Sequence, residues 1–264
     1  MEKKKSLGQH FLNSVHYLAK IADSAELAAY ELVLEVGPGD GALTRELLLH
    51  KARVVAVEKD LRLVPVLQKT FAKEIADGSL TLIEADILKF DISNCAALGG
   101  SYKVVANIPY YITGALLKKL LTSAHQPTQT VLLLQKEVAE RIARSKKESI
   151  LSISVKVYGD PTYVCTVPSG AFAPPPDVDS AVLVIKNISR KHFSTAKQEE
   201  RFFALVRAGF AQKRKLLARN LEPLLGKNYS NILKKAGIVS NARAEDVPLV
   251  RWVELSSIDL SGDA

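Results

Sequence analysis

The chain has 264 residues, 47% of them hydrophobic, with a formal net charge of +8 and a sequence pI near 9.3. That length and apolar content suit one large domain or a medium and a small one, and exclude a disordered polyelectrolyte. No apolar run approaches the roughly 20 residues that span a bilayer. The basic start lacks the apolar stretch of a secretion signal, and Cys95 and Cys165 have no metal-ligand spacing, so a cytoplasmic protein with reduced thiols, no membrane contact and no metal is expected.

Behind a basic arm carrying Lys3 to Lys5, residues 14–29 read as a helix, with Val15, Leu18, Ile21, Ala22 and Ala25 on one face. Residues 32–36 form an apolar strand that ends in Glu35-Val36-Gly37-Pro38-Gly39-Asp40-Gly41 before a helix over 42–49. Glycines at such a turn let a ligand approach the backbone closely and permit unusual φ/ψ. A second strand over 53–57 closes on Glu58. A carboxylate there can accept both ribose hydroxyls of an adenosine-containing cofactor. With Ala42 the loop also satisfies G-x-G-x-x-A, so a nicotinamide dinucleotide stays open. Residues 61–76 read as a helix, and 80–83 as a third strand leading to Asp86. Glu35 could serve the cationic amino group of a methionine tail and Asp86 an adenine amino group. Both favour S-adenosylmethionine.

A fourth strand over 102–106 ends in Asn107-Ile108-Pro109-Tyr110. The Asn amide oxygen and a following backbone carbonyl can both accept hydrogen bonds from one exocyclic amino group. Pro109 fixes φ and stiffens the turn that aims them, and Tyr110 offers a flat face for a base. Alone, these four residues also read as a strand leaving the core through a proline turn. A helix over 114–121, a strand over 131–134 and a helix over 138–144 follow. Residues 149–157 are ambiguous: apolar alternation favours a strand, while their length also fits a helix. Strands over 162–167 and 181–185 could pair antiparallel at the sheet edge. Between them lies a Pro-rich loop with Phe172, which could stack on the second face of a flipped base or plug the edge of the sheet.

Strands alternating with helices argue for a parallel sheet covered on both faces. From about residue 188 no strands are evident, and apolar residues recur at helical spacing. Residues 189–264 carry 14 Lys/Arg against 8 Asp/Glu, leaving 22 against 20 before them. Lys213, Arg214 and Lys215 are adjacent, with Arg219 about one helical turn beyond. Such a basic segment suits phosphate contacts and a polyanionic partner, nucleic acid above all. Two domains are expected, over 1–188 and 189–264.

Together these stretches resemble the ribosomal RNA adenine N6,N6-dimethyltransferases, the KsgA family, over nearly the whole chain. The anchors are residues 7–12 (LGQHFL), 35–44 (EVGPGDGALT), Glu58, Asp86, 107–110 (NIPY), 134–141, 172–180 and 210–216. The resemblance implies a class I, Rossmann-like methyltransferase fold: a seven-stranded, mostly parallel sheet whose last strand is antiparallel, plus a small all-α C-terminal domain. In that family the region of 149–157 is a helix. It further implies S-adenosylmethionine held by Gln9, His10 and Leu12 of the arm, by Glu35, Gly37 and Gly39, by Glu58 and Asp86, and by Asn107 at the boundary between donor and acceptor. Asn107, Ile108, Pro109, Tyr110 and Phe172 would serve the acceptor base, and Lys213, Arg214, Lys215 and Arg219 the RNA. The substrate implied is a pair of adjacent adenosines near the 3′ end of 16S rRNA, in the 30S subunit, modified by a monomeric enzyme.

Three departures from the family pattern touch RNA contacts: Asp177 stands where a Lys is usual, residues 145–152 lack a Tyr-Gly-Arg pattern, and Lys213 replaces a frequent Arg. Competing readings are a macrolide-resistance methyltransferase of 23S rRNA, a non-catalytic RNA-binding assembly factor, and an NAD-dependent dehydrogenase. The last lacks a catalytic His or Tyr-Lys pair in the sequence.

Overall fold

The computed structural model describes residues 10–258. The basic arm with Lys3 to Lys5, and the cofactor contact expected of Gln9, fall outside them. Contact density divides the described chain into two compact units: one runs up to Ala139 and includes Asp160–Ile188, and the other joins Glu140–Gly159 to the residues from Ser189 on.

The first unit is built on a seven-stranded sheet. Its strands are β2 (Leu32–Val36), β3 (Arg53–Glu58), β4 (Leu80–Glu84), β5 (Tyr102–Asn107), β6 (Gln129–Gln135), β7 (Asp160–Val167) and β9 (Ser180–Lys186), after a short β1 (Phe11–Leu12). The spatial order is β4-β3-β2-β5-β6-β9-β7; β9 runs antiparallel to both β6 and β7, and every other pair is parallel. This is the expected seven-stranded, mostly parallel α/β sheet, with the 162–167 and 181–185 segments paired antiparallel as anticipated. Successive residues of the central strands are buried on both faces, as in Val54 to Val57 and Val131 to Leu134. Helices cover each face of such a sheet, which is why its strands read as nearly continuous apolar runs. Leu18 and Ile21 of α1 (Val15–Ser24) and Leu43 and Leu47 of α2 (Ala42–Leu49) pack with Val33, Val105 and Val131 in one core cluster.

Several elements differ from their sequence reading. The helix expected over 14–29 stops at Ser24. Lys103 Nζ, from β5, donates to the carbonyls of Ala25 (2.9 Å) and Glu26 (3.0 Å) and to Glu31 Oε2 (2.9 Å). A cation near a helix C-terminus satisfies carbonyls that lack an intrahelical partner. The helix expected over 61–76 is broken into α3 (Val64–Thr70) and α4 (Ala72–Ala76) at Phe71, whose backbone is at φ −112°, ψ 30°. The Phe71 ring lies against the backbone of Gly41, where a Cβ would come within 2.4 Å of it. A two-stranded ribbon that periodicity could not reveal joins β1 to β8 (Phe172–Ala173), pairing Phe11 with Ala173 and Leu12 with Phe172.

After α5 (Thr113–Thr122) and α6 (Lys136–Ala143), the ambiguous segment forms a helix, α7 (Ile150–Lys156). The family resemblance is right here and the alternation misleading. Ser149 Oγ accepts from Ser152 N (3.1 Å) while Ser152 Oγ accepts from Ser149 N (2.7 Å). That reciprocal cap nucleates a helix that apolar alternation alone would leave as a strand.

The helical unit continues with α8 (Ala196–Gly209), α9 (Leu217–Leu225), α10 (Tyr229–Lys235) and α11 (Leu249–Ser257). Trp252 is fully buried, donates from Nε1 to Val247 O (3.2 Å) and stacks on Phe210 at 5.8 Å between ring centroids. The composition change near residue 188 suggests a linker over about 186–196, yet that stretch is packed: Phe193 joins Tyr158, Phe202 and Phe203 in an aromatic cluster.

Candidate active site

After β2 the chain steps outward to β3 and β4, and after β5 it steps the other way to β6. Such a reversal in strand order opens a crevice beyond the carboxyl ends of the strands. A cavity of about 480 Å³ lies there. Its wall includes His10, Leu12, Gly37, Gly39, Glu58, Asp86, Asn107, Ile108, Pro109, Tyr110 and Phe172, residues scattered over 163 positions of sequence. Glu35, expected with them, is not among the lining residues.

Three strand ends supply the polar groups. Glu58 is the last residue of β3 and is nearly buried. Its Oε2 accepts from Gly39 N (3.1 Å) and its Oε1 from Asp60 N (2.7 Å). Burial nevertheless raises its pKa above the ordinary value, outweighing these donors. Asp86 lies two residues beyond β4. Its Oδ1 accepts from Leu88 N (3.0 Å) and its Oδ2 pairs with Lys59 Nζ at 2.9 Å. The hydrogen bond to the Lys59 ammonium holds the Asp86 carboxyl below its usual range. Asn107 is the last residue of β5, in register with Leu133 of β6. Its Nδ2 donates to His10 O at 3.4 Å, which turns Oδ1 away from the arm.

The glycine loop fits a ligand that approaches backbone. Gly37 has φ +68°, and a Cβ built there would meet no protein atom within 4 Å. The residue lines the cavity, so its backbone is open on that side. Gly39, at φ +64°, has the Phe11 ring 3.0 Å from where a Cβ would sit, so the ribbon at Phe11 requires glycine there.

Around the acceptor motif, Pro109 O accepts from Ile112 N (3.1 Å), opening a 3₁₀ turn over Tyr110–Ile112. The Tyr110 ring is half-buried, and its hydroxyl shares a 2.7 Å hydrogen bond with Ser180 Oγ. The His10 ring lies near-parallel to it, 6.3 Å away between centroids and 20° between planes. Phe172 packs in the core cluster, as the edge-plug reading expects, and it also lines the cavity.

Glu35 is fully buried and accepts from Thr44 Oγ1 at 2.7 Å, while its Oε1 has no hydrogen-bond partner. Desolvation pushes its pKa up to about 8, against the lowering effect of the Thr44 bond. Between the ordinary value of 4.5 and about 8 the folded chain keeps a proton that the unfolded chain has lost. Folding is therefore favoured less as pH rises through that window. Melting midpoints from pH 5 to 8 should fall with pH in the native chain and fall less in Glu35→Gln. Equal slopes would contradict this account of Glu35.

Two contributors were not legible in the sequence. Lys59 directly follows Glu58, yet its tie to Asp86 joins two strand ends. Ser180 is 70 positions from Tyr110. The RNA-contact candidates sit in the helical unit. Lys213, Arg214 and Lys215 are exposed on the turn between α8 and α9. Asn220 Nδ2 fixes that turn by donating to Gly209 O (2.6 Å) and Gln212 O (3.1 Å). Arg219, on α9, pairs with Glu222 at 3.2 Å. Among the described residues no cluster of three His, Cys, Asp or Glu could hold a metal, and no helix is long and apolar enough to cross a membrane.

Comparison with known proteins gives the following matches. A family profile described as ribosomal RNA adenine dimethylase matches residues 1–258. A protein of Dehalococcoides mccartyi named ribosomal RNA small subunit methyltransferase A is 41% identical over 97% of this chain and 88% of its own length. A protein of the same name from Streptococcus gordonii is 40% identical over 96% of this chain and 90% of its own. Among solved structures, a dimethyladenosine transferase from Plasmodium falciparum superposes with a TM-score of 0.76 at 27% identity, covering 93% of this chain and 96% of its own. A 23S rRNA methyltransferase, ErmE, gives 0.75 at 26% identity, covering 93% and 98%.

Proposed function

The chain belongs to the ribosomal RNA adenine dimethylase family, and on that premise we propose that it transfers methyl groups from S-adenosylmethionine to N6 of two adjacent adenosines near the 3′ end of 16S rRNA. The product is N6,N6-dimethyladenosine, formed on the small ribosomal subunit during its biogenesis, in the cytoplasm and by a monomer. The observation that carries the reading is one cavity wall that presents Glu58, Asp86 and the Asn107 amide from the ends of β3, β4 and β5.

When bound, the cofactor supplies an electrophilic methyl group on a sulfonium. The Glu58 carboxylate, held by two backbone N–H donors, suits the ribose hydroxyls. Asp86, oriented by Lys59 and Leu88 N, suits the adenine amino group, and the open backbone at Gly37 suits the methionine part. On the acceptor side, N6 of adenosine is a poor nucleophile because its lone pair is delocalised into the ring. Asn107 Oδ1 is aimed to accept one N6 hydrogen. Pro109 O is engaged by Ile112 N, so the Ile108 carbonyl is assigned as the second acceptor. Two such hydrogen bonds favour a pyramidal nitrogen with its lone pair localised. No strong base is required, since the proton leaves only after nitrogen becomes cationic. Orientation of well-placed reactants can supply roughly 7–11 kcal/mol of barrier lowering. Tyr110 and Phe172 hold the base, at about 1–3 kcal/mol per stack.

Identity near 40% over almost the full length of small-subunit enzymes, against 26% to the 23S rRNA methyltransferase, supports the small-subunit substrate. Tritiated methyl transfer to unmethylated 30S particles and to naked 23S rRNA separates the two, and label is expected in the 30S particles. Label in 23S rRNA alone would overturn the substrate assignment. Neutralising Lys213, Arg214 and Lys215 together should weaken RNA binding and make its log–log salt slope shallower by about 2–3, at roughly 0.7–0.9 per lost phosphate contact. An unchanged slope would remove that turn from the interface.

A further inference from the structure

We propose that Ser180 is a positioning residue for the reaction: its buried hydroxyl tethers the far end of the Tyr110 side chain and so fixes where the ring that receives the target base stands. The inference rests on the assignment of Tyr110 as the base clamp. Stacking needs only the face of a ring, and a phenylalanine at position 110 would offer the same face. The Tyr110 hydroxyl therefore has another use, and its partner is on the page, Ser180 Oγ at 2.7 Å. Burial raises the Tyr110 pKa, so the phenol stays neutral and supplies a hydrogen bond rather than a base.

The two ends of this tether differ in rigidity. Tyr110 opens a three-residue 3₁₀ turn at the cavity wall. An aromatic ring attached only through Cβ has a broad χ2 well. Ser180 is fully buried and held from several sides. It pairs in register with Gln135 of β6 and Val167 of β7. The preceding Asp179 accepts from Lys136 N (3.0 Å) through its carbonyl and from Ser169 N (3.1 Å) through Oδ1. A hydrogen bond from this fixed point to the para oxygen holds χ1 and the place of the ring's tip; that oxygen lies on the χ2 axis, so the tilt about it is left to the packing around the ring. Ser180 also closes the Pro-rich segment that begins at Phe172, the other proposed face of the clamp. Phe172 is itself pinned by pairing with Leu12. The tether thereby fixes one face relative to the other, on strands rather than on a loop.

The test is steady-state methylation of unmethylated small subunits by the wild type, Ser180→Ala, Tyr110→Phe and the double variant, with S-adenosylmethionine binding and melting midpoint measured for each. Each single variant is expected to lower kcat about tenfold, a modest loss for misplaced reactants, with the cofactor Kd within about twofold of wild type. The double variant is expected to be no slower than either single one, because each removes the same tether. Unchanged kcat in Ser180→Ala, or losses that multiply in the double variant, would overturn the proposal. Should Ser180→Ala not fold, Tyr110→Phe decides alone: it keeps Ser180, and full turnover by it would overturn the tether. No methylation by the wild type would overturn the functional reading itself, and this inference with it.

Discussion

Asn107→Ala is expected to lower methyl transfer by about 10²–10³-fold, the usual cost of removing one preorganised hydrogen-bonding group aimed at the reacting centre, while leaving S-adenosylmethionine affinity close to wild type. The side chain is only half-buried and ends its strand, so truncation makes no large cavity. Its one described bond, from Nδ2 to His10 O, is long at 3.4 Å and contributes little to the fold. What the variant loses is Oδ1 as acceptor for the N6 hydrogen. The Ile108 carbonyl then stands alone and the amine stays conjugated with its ring. A kcat loss with unchanged cofactor Kd and melting midpoint is the expected pattern. Full turnover would remove Asn107 from the chemistry.

Glu58→Ala should act on the other substrate. Loss of two hydrogen bonds from ribose hydroxyls to a carboxylate costs about 3 kcal/mol, which is about 10²-fold in Kd. The variant also strips Gly39 N and Asp60 N of their acceptor, loosening the glycine loop at the point where it meets the ligand. The loss should appear in KM for the cofactor and be recovered in large part at saturating S-adenosylmethionine. A variant with wild-type KM would show that the ribose lies elsewhere. Glu58 and Asn107 thus separate donor binding from acceptor chemistry, and the Ser180–Tyr110 pair tests a third quantity, the place of the ring that holds the base.

Much of this site was legible because its residues stand at the ends of strands that the sequence marks clearly. Glu58 and Asn107 each close an apolar run, and the crevice forms where such ends meet, so motif and topology point to the same place. The readings that failed did so where distant residues decide local structure. The end of α1 depends on Lys103, 78 positions from Ala25. The break between α3 and α4 falls at Phe71, whose ring packs on Gly41. The 149–157 stretch shows strand-like alternation, and a two-serine cap outweighs it. Glu35 shows the limit of motif reading: its place beside the glycines suggested the cavity, but its carboxyl is buried against Thr44. The ribbon between β1 and β8 has two residues per strand, too few for any periodic signal, yet it holds the arm that carries His10 and Leu12 at the cavity. The contact of Glu148 N with Glu245 O at 2.7 Å, within the helical unit, likewise has no local signature.

The central claim is that this cavity dimethylates adenosine N6 in the small subunit. Its most direct test is to incubate the purified chain with tritiated S-adenosylmethionine and 30S particles that lack these methyl groups, then digest the 16S rRNA and identify the labelled nucleoside. The account predicts N6,N6-dimethyladenosine as the labelled nucleoside. Label in any other nucleoside, or none in wild type under conditions where the cofactor binds, would contradict it.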